Sequence, residues 1–196
     1  MKQGRSNLIS SRRTPGSAIS IPIFVYISGQ TSDELVIMKS IIELIYDEDF
    51  NAVKQRIEST DLTIVDKEGD TALHMGVLKK NEEIVKLLVQ NNCDVNAQNK
   101  KGKVRLHYAA ELNLIEIAKS LIEMNADLGI SDNYGNQPLW TAIFSAAEGK
   151  TNKLPIVELF LQNGADKNHK NDAGRSPLDF AYQVKYEPLL EILNKY

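Results

Sequence analysis

The sequence predicts an all-α fold, an elongated solenoid of about five stacked helix-turn-helix units. The observation behind this prediction is a constant period that three separate series of residues keep along the chain. The series are Gly69, Gly102 and Gly135; Leu73, Leu106 and Leu139; Asp61, Asp94 and Asp127. The next member of each series comes six residues later than the period predicts. These members are Gly174, Leu178 and Asp166. A common period with one common shift indicates a repeated, stacking unit that carries a single insertion.

Each unit is predicted to open with a turn and a short helix. An Asp or Asn, two variable residues and a Gly form the turn, because the side-chain oxygen accepts backbone hydrogen bonds and Gly adopts positive φ. Thr71 and Ser176 are residues that start helices. Pro138 and Pro177 suit the first helical turn, where a missing N–H costs nothing. These signals place a helix directly after each turn.

A second, longer helix is predicted to follow in each unit. Apolar residues between Ile84 and Val89 recur at the spacing of one helix face. Asn92, Asn125 and Gly164 then stand where the chain leaves this helix in the left-handed region. Neither helix buries its apolar face alone, so neighbouring units must stack.

Four motifs carry a family resemblance. They read Gly-x-Thr-Ala-Leu-His, Gly-x-x-Arg-Leu-His, Gly-x-Gln-Pro-Leu-Trp and Gly-x-Ser-Pro-Leu-Asp. All four resemble the Thr-Pro-Leu-His signature of ankyrin repeats, and Asp94-Val-Asn96 resembles the Gly-Ala-Asp-Val-Asn that closes such repeats. The resemblance covers residues 66–196, with Val104-Arg105, Trp140 and Asp179 departing from the signature. It implies an ankyrin-repeat solenoid that is non-enzymatic and binds another protein.

The repeat register divides the chain into a tail, 1–34, and a repeat domain, 35–196. The predicted units are 35–65, 66–98, 99–131, 132–170 and 171–196. Residues 35–65 lack the Gly turn and are rich in charge, as expected of an N-terminal cap with a polar outer face. The last unit stops within its second helix and is predicted to be a truncated C-terminal cap.

The tail differs in composition from the rest of the chain. Residues 1–32 contain no Asp or Glu, whereas the whole chain has a net charge of −3. One interpretation is a disordered tail on a cytoplasmic protein; another is that residues 1–29 act as a weak secretory signal and the protein is exported. A third is that Met38 is the working start. The apolar run 18–27 is shorter than the ~20 residues that a membrane span requires.

The sequence offers no catalytic, cofactor or metal site. His74 and His107 hold equivalent places in successive units, and stacked helices lie about 8–10 Å apart, too far for two ligands that must each reach one zinc within ~2.1 Å. The resemblance implies that this His makes structural hydrogen bonds at the turn. Cys93, the single cysteine, allows no internal disulfide and is predicted to be buried.

The resemblance implies that a protein partner binds the concave face, formed by the turn tips and the exposed side of the first helices. The predicted partner-binding residues are Lys67, Glu68, Asp70, Met75, Leu78, Lys100, Lys101, Lys103, Tyr108, Glu111, Leu112, Asn133, Tyr134, Asn136, Phe144, Lys150, Lys153 and Arg175. Trp140 and Phe144 fit the core of the stack equally well. The insertion, at 146–154, supplies Lys150 and Lys153 and is either part of this surface or a tolerated loop.

Charge along the tips is mixed. The first tip carries acidic residues and the second carries Lys100, Lys101, Lys103 and Arg105. A nucleic-acid binder would show a sustained basic stripe, so a protein partner is favoured. We expect a chain that is monomeric when free and that blocks or sequesters its partner, as an immunity or inhibitor protein does. The alternatives are an adaptor or secreted effector, a self-assembling structural repeat and, least favoured, an enzyme.

Overall fold

The computed structural model describes residues 39–147 and 153–196. Over these residues the chain forms ten α-helices and one short 3-10 turn, Ile57–Ser59. The helices are α1 (Ile41–Tyr46), α2 (Phe50–Arg56), α3 (Ala72–Leu78), α4 (Glu82–Gln90), α5 (Arg105–Glu111), α6 (Ile115–Glu123), α7 (Pro138–Ala147), α8 (Leu154–Gln162), α9 (Pro177–Val184) and α10 (Glu187–Lys195). Consecutive helices pair, which makes five units.

The five units stack in two layers. The first helices α1, α3, α5, α7 and α9 pack in a row, and the second helices α4, α6, α8 and α10 pack in another. The predicted all-α repeat solenoid is therefore confirmed. No helix within residues 39–147 and 153–196 is both long and apolar enough to span a membrane.

Most first helices begin where the sequence predicts. The side chains of Thr71 and Ser176 accept hydrogen bonds from the backbone N–H groups of His74 and Asp179. Ser40 caps α1 in the same way. These oxygens take over a donor that the first helical turn would leave unpaired. Pro138 and Pro177 lie at the first positions of α7 and α9, as expected.

The exits of the second helices also match the prediction. Asn92 and Asn125 have φ of 62° and 63°, and Gly164 has φ of 84°. A second set of left-handed residues was not predicted from the sequence. They join the first helix to the second: Glu48, Lys80, Asn113 and Lys185. Lys and Glu rarely adopt this conformation, so residue type gave no signal at Glu48, Lys80 and Lys185, whereas Asn113 is of a type that adopts it more readily.

The core runs continuously between the two layers. Leu73, Leu106 and Leu139 are at most 1% exposed, and burying a side chain of this size contributes about 1.5–3 kcal/mol. Leu178 holds the equivalent place in the fifth unit but is only half-buried, because among the described residues no unit stacks on its outer side. Cys93 is buried, as predicted, and burial raises the pKa of its thiol.

Some predictions concern residues outside the described ranges. They are the tail at 1–34, the start of the N-terminal unit and the centre of the insertion, which includes Lys150. The unit boundaries remain predictions.

Candidate interaction surface

The four turns that precede α3, α5, α7 and α9 are built in the same way. In each, one oxygen of the opening Asp or Asn accepts hydrogen bonds from the backbone N–H groups two and four residues later, at 2.8–3.2 Å. The opening residues are Asp66, Asn99, Asp132 and Asn171. Because the fourth residue is a Gly with positive φ in all four, the predicted turn chemistry is confirmed.

Neighbouring turns are joined to one another by backbone hydrogen bonds. The N–H of Lys100 donates to the carbonyl of Glu68 at 3.0 Å, and the N–H of Asn133 donates to that of Lys101 at 3.0 Å. Asp172 donates to Tyr134 in the same way at 3.1 Å. The four turns therefore line up along one edge of the stack, as the repeat register predicts, and form a continuous and well-fixed rim.

The rim exposes most of the predicted tip residues. Lys67, Glu68, Lys100, Lys101, Asn133, Tyr134 and Arg175 are exposed, and Lys103 and Asn136 are half-buried. Tyr134 is 72% exposed, more than any other large apolar side chain among the described residues. The tip therefore presents a large aromatic ring on a backbone held at both its N–H and its carbonyl.

Asp70 is placed differently from the other tip residues. It is buried, and its carboxylate accepts a hydrogen bond from Asn99 Nδ2 at 2.7 Å. The same Nδ2 donates to the hydroxyl of Tyr108 at 2.7 Å. Burial raises the pKa of Asp70 and raises that of Tyr108 to about 12. Asp70 thus links two units from inside the stack and has little surface to offer a partner.

The exposed side of the first helices divides into two parts. In α3 and α5, Met75 is buried and the other predicted residues, Leu78, Tyr108 and Leu112, are half-buried, whereas Glu111 is exposed. Lys103 Nζ forms an ion pair with Glu111 at 2.9 Å. The same ammonium lies 5.3 Å from the centre of the Tyr108 ring. The charged and aromatic side chains of this part therefore already interact with one another.

The second part is an aromatic cluster on α7 and α9. The rings of Trp140 and Phe144 both contact Phe180, with centroid distances of 5.4 and 5.6 Å. Phe144 is 46% exposed and Trp140 is half-buried, so Phe144 is not a core residue. Phe180 was not among the residues predicted from the sequence, although its place two residues after Leu178 matches that of Tyr108 after Leu106. Its position within the repeat was the signal that could have identified Phe180.

The end of the insertion touches the same side of the molecule. Lys153, directly after the undescribed residues 148–152, donates from Nζ to the carbonyl of Glu111 at 2.8 Å. Glu111 is the last residue of α5, so the end of the insertion contacts the end of a first helix.

Arg105 is not a surface charge, which corrects the expectation that it adds to the basic tip. Its side chain is fully buried, and burial lowers its pKa to about 10. The guanidinium donates to the carbonyls of Asp94, Val95 and Ala97 and to the hydroxyl of Thr71. A side chain with several donors in one plane suits this pocket of backbone oxygens, so the basic tip consists of three lysines.

His74 and His107 make the structural hydrogen bonds that the family resemblance implies. In each ring, Nδ1 accepts from the backbone N–H three residues earlier, at 3.0 and 3.2 Å. That acceptor role places the proton on Nε2, which donates to a carbonyl of the next turn, Lys103 or Asn136, at 3.1 and 2.9 Å. Burial lowers the pKa of both imidazoles, that of His74 to about 3.

Comparison with known proteins gives matches at the level of the family. A model of ankyrin repeats, in three copies, matches residues 41–132, and a model of the single ankyrin repeat matches residues 134–172. Together they cover about two thirds of the chain. A search of curated proteins found no match.

Proposed function

Because the chain belongs to the ankyrin repeat family, we propose that it binds one partner protein through the turn rim and the exposed side of α3, α5, α7 and α9, and thereby blocks or sequesters it. Ankyrin repeats are generally protein–protein interaction modules and are typically non-enzymatic. The proposal assigns this chain a stoichiometric, non-catalytic role, of which an immunity or inhibitor protein is one form. A monomeric free state and a cytoplasmic location belong to the same proposal.

The observation that carries the proposal is the exposure of large side chains on a rigid edge. Tyr134 and Phe144 project from a turn and a helix whose backbones are fixed by hydrogen bonds. Aromatic residues dominate binding energy at interfaces, and rigid presentation lowers the entropy lost on binding. Exposing them costs free energy in the unbound chain, which a partner that covers them would recover.

Residues with internal roles are left out of the proposed surface. Asp70 and Met75 are buried, so neither offers a surface to a partner. The remaining predicted residues form the proposed surface, with Phe180 added to the aromatic cluster. Lys150 stays a prediction because it lies outside the described residues.

The test begins with identification of a protein that the full chain captures at a fixed stoichiometry. Tyr134→Ala with Phe144→Ala is then expected to weaken binding at least tenfold, because each loses an aromatic contact at the interface. The matched control is Lys119→Ala with Glu123→Ala, two exposed residues on the second helix α6. Calorimetric titration measures the affinities, and thermal unfolding verifies that both variants stay folded.

Unchanged affinity in the aromatic variant, or an equal loss in the α6 control, would contradict the proposed surface. Blocking is tested separately by measuring the partner's own activity with and without the chain. A partner that stays fully active when bound would favour the adaptor or effector alternative.

A further inference from the structure

The second and third turns enclose a cleft on the rim. It has a volume of about 350 Å³ and is open to solvent. Its lining consists of Lys100, Lys101, Lys103, Asp132, Asn133 and Tyr134. Because the two turns are joined by the Asn133 to Lys101 backbone hydrogen bond, the cleft is part of the fixed rim.

The cleft carries more positive than negative charge, because three lysines and one aspartate line it. Residues 95–110 include four basic residues and no acidic one, and Arg105 is buried below the turn. Lys100 Nζ donates to the carbonyl of Lys67, and Lys103 Nζ pairs with Glu111. Within residues 39–147 and 153–196, the Lys101 ammonium makes no hydrogen bond or ion pair.

The one carboxylate in the lining is committed to its own turn. An oxygen of Asp132 accepts from the backbone N–H groups of Tyr134 and Asn136, both at 2.9 Å. Those bonds direct the carboxylate towards the third turn. The exposed Lys101 side chain is therefore free to meet an incoming negative charge.

Tyr134 supplies an apolar wall beside this charge. Its ring is 72% exposed, and its hydroxyl has no hydrogen-bond partner in the described part of the chain. A tyrosine held on a fixed turn offers a large contact area and a polar end at low entropic cost. The cleft thus pairs one available ammonium with one available aromatic ring.

We propose that this cleft receives an acidic segment of the partner protein, with a Glu or Asp carboxylate on Lys101 and the adjacent side chain against the ring of Tyr134. The inference rests on the proposed function and adds the chemistry of the segment that binds. A nucleic acid fits less well, because it would need a basic stripe along several units. Here the basic residues are confined to one turn and the neighbouring turns carry Glu68 and Asp172, so a phosphate backbone that runs along several turns would be repelled, whereas a single carboxylate on Lys101 needs only one turn.

The first experiment uses a defined probe and the full chain. The probe is a short capped peptide in which a leucine follows every pair of glutamates; the control peptide has glutamine in place of glutamate. In amide NMR spectra of the isotope-labelled chain, the acidic peptide is expected to shift signals of residues 100–103 and 133–135, and the glutamine peptide is not. Lys101→Glu should weaken acidic-peptide binding about fivefold or more.

Lys119→Glu is the matched control, because it makes the same charge change on α6 and should leave binding unchanged. Equal binding of both peptides, shifts that avoid the cleft, or equal effects of the two variants would overturn the inference. Tighter binding of a short DNA duplex at the cleft would also overturn it, in favour of a nucleic acid.

The second experiment separates this inference from the proposed function. If the identified partner binds Lys101→Glu and Lys119→Glu with equal affinity, the acidic-segment inference is wrong while the binding function stands. If the acidic peptide binds the cleft but the chain captures no protein, the proposed function is wrong and the cleft is an acid-binding site of another kind.

Discussion

At the residue scale, Arg105 shows how one buried charge holds two units together. It occupies the place of Ala72, Pro138 and Pro177 in the other units. Its guanidinium satisfies three carbonyls of the preceding loop, at 2.8 Å for Asp94 and 3.2 Å for Val95. Its Nε has no partner among the described atoms, which is costly in a buried site.

We expect Arg105→Ala to lower the free energy of unfolding by at least about 3 kcal/mol, because it removes the donor to three part-buried carbonyls and the buried Thr71 hydroxyl and opens a cavity. Arg105→Lys should also destabilise, since one ammonium does not reach all four acceptors. Urea unfolding measures both. The control, Arg175→Ala at an exposed turn, should stay within about 0.5 kcal/mol, and a comparable loss there would refute the assignment.

At the element scale, the free-energy cost of placing a side chain at a turn glycine depends on whether another turn stacks against it. Gly102 and Gly174 have nearly equal φ, 72° and 71°. A Cβ at Gly102 would lie 2.5 Å from Asn133 Oδ1 and 2.7 Å from the backbone nitrogen of Asn133, whereas nothing lies within 4 Å of a Cβ at Gly174. The stacked turn therefore excludes any side chain at Gly102, but the last turn does not.

This pair separates backbone strain from close approach. Gly174→Ala should cost about 1–2 kcal/mol, the penalty of a left-handed Ala. Gly102→Ala should cost more, because the third turn must also move. Chemical denaturation of the two variants gives the comparison; equal losses would mean that the hydrogen-bonded rim tolerates displacement.

At the scale of the whole molecule, buried histidines connect successive units. His74 bonds the turn before α5, and His107 bonds the turn before α7. Both need a neutral ring, because Nδ1 serves as an acceptor. Protonation would remove that acceptor and place a charge in the stack, where Arg105 already disfavours a second cation beside His74. Stability of the solenoid is thus coupled to pH.

The direction in which stability changes with pH follows from the lowered pKa of His74. The unfolded chain binds a proton at His74 below its ordinary pKa of 6.5, and the folded chain resists until about pH 3. Stability is therefore full above about pH 6.5 and falls with acidification. From pH 7 to 5.5 His74 alone should cost about 1 kcal/mol, and His107 adds to it.

Urea unfolding at pH 7 and at pH 5.5 measures this loss, and His74→Gln should reduce the difference between them. Asp70, 3.9 Å from His74 Nε2, acts in the opposite sense, because its raised pKa favours protonation on folding. Repeating the measurement in Asp70→Asn removes that contribution. An unfolding free energy of Asp70→Asn that does not change over this interval would show that His74 is not held neutral.

The candidate surface could be predicted only in part. Position within the repeat placed Tyr134 and Lys101 at exposed sites, where the structure has them, because a turn tip follows from local register; for Phe144 it left the core and the surface equally open. It placed Asp70 and Arg105 on the surface, whereas both are buried. Their surroundings are made by residues of other units: Asn99 lies 29 residues from Asp70, and Thr71 lies 34 residues from Arg105.

The amino-acid sequence by itself determined the repeated unit: where helices start, where turns form and how many units follow one another. These features depend on hydrogen bonds and apolar spacing among residues a few positions apart. Only the tertiary structure decided which charges reach solvent and which join the units, because burial is set by the neighbouring unit. The lysine cleft beside Tyr134 exists because the turns of two successive units, distant along the chain, are held side by side.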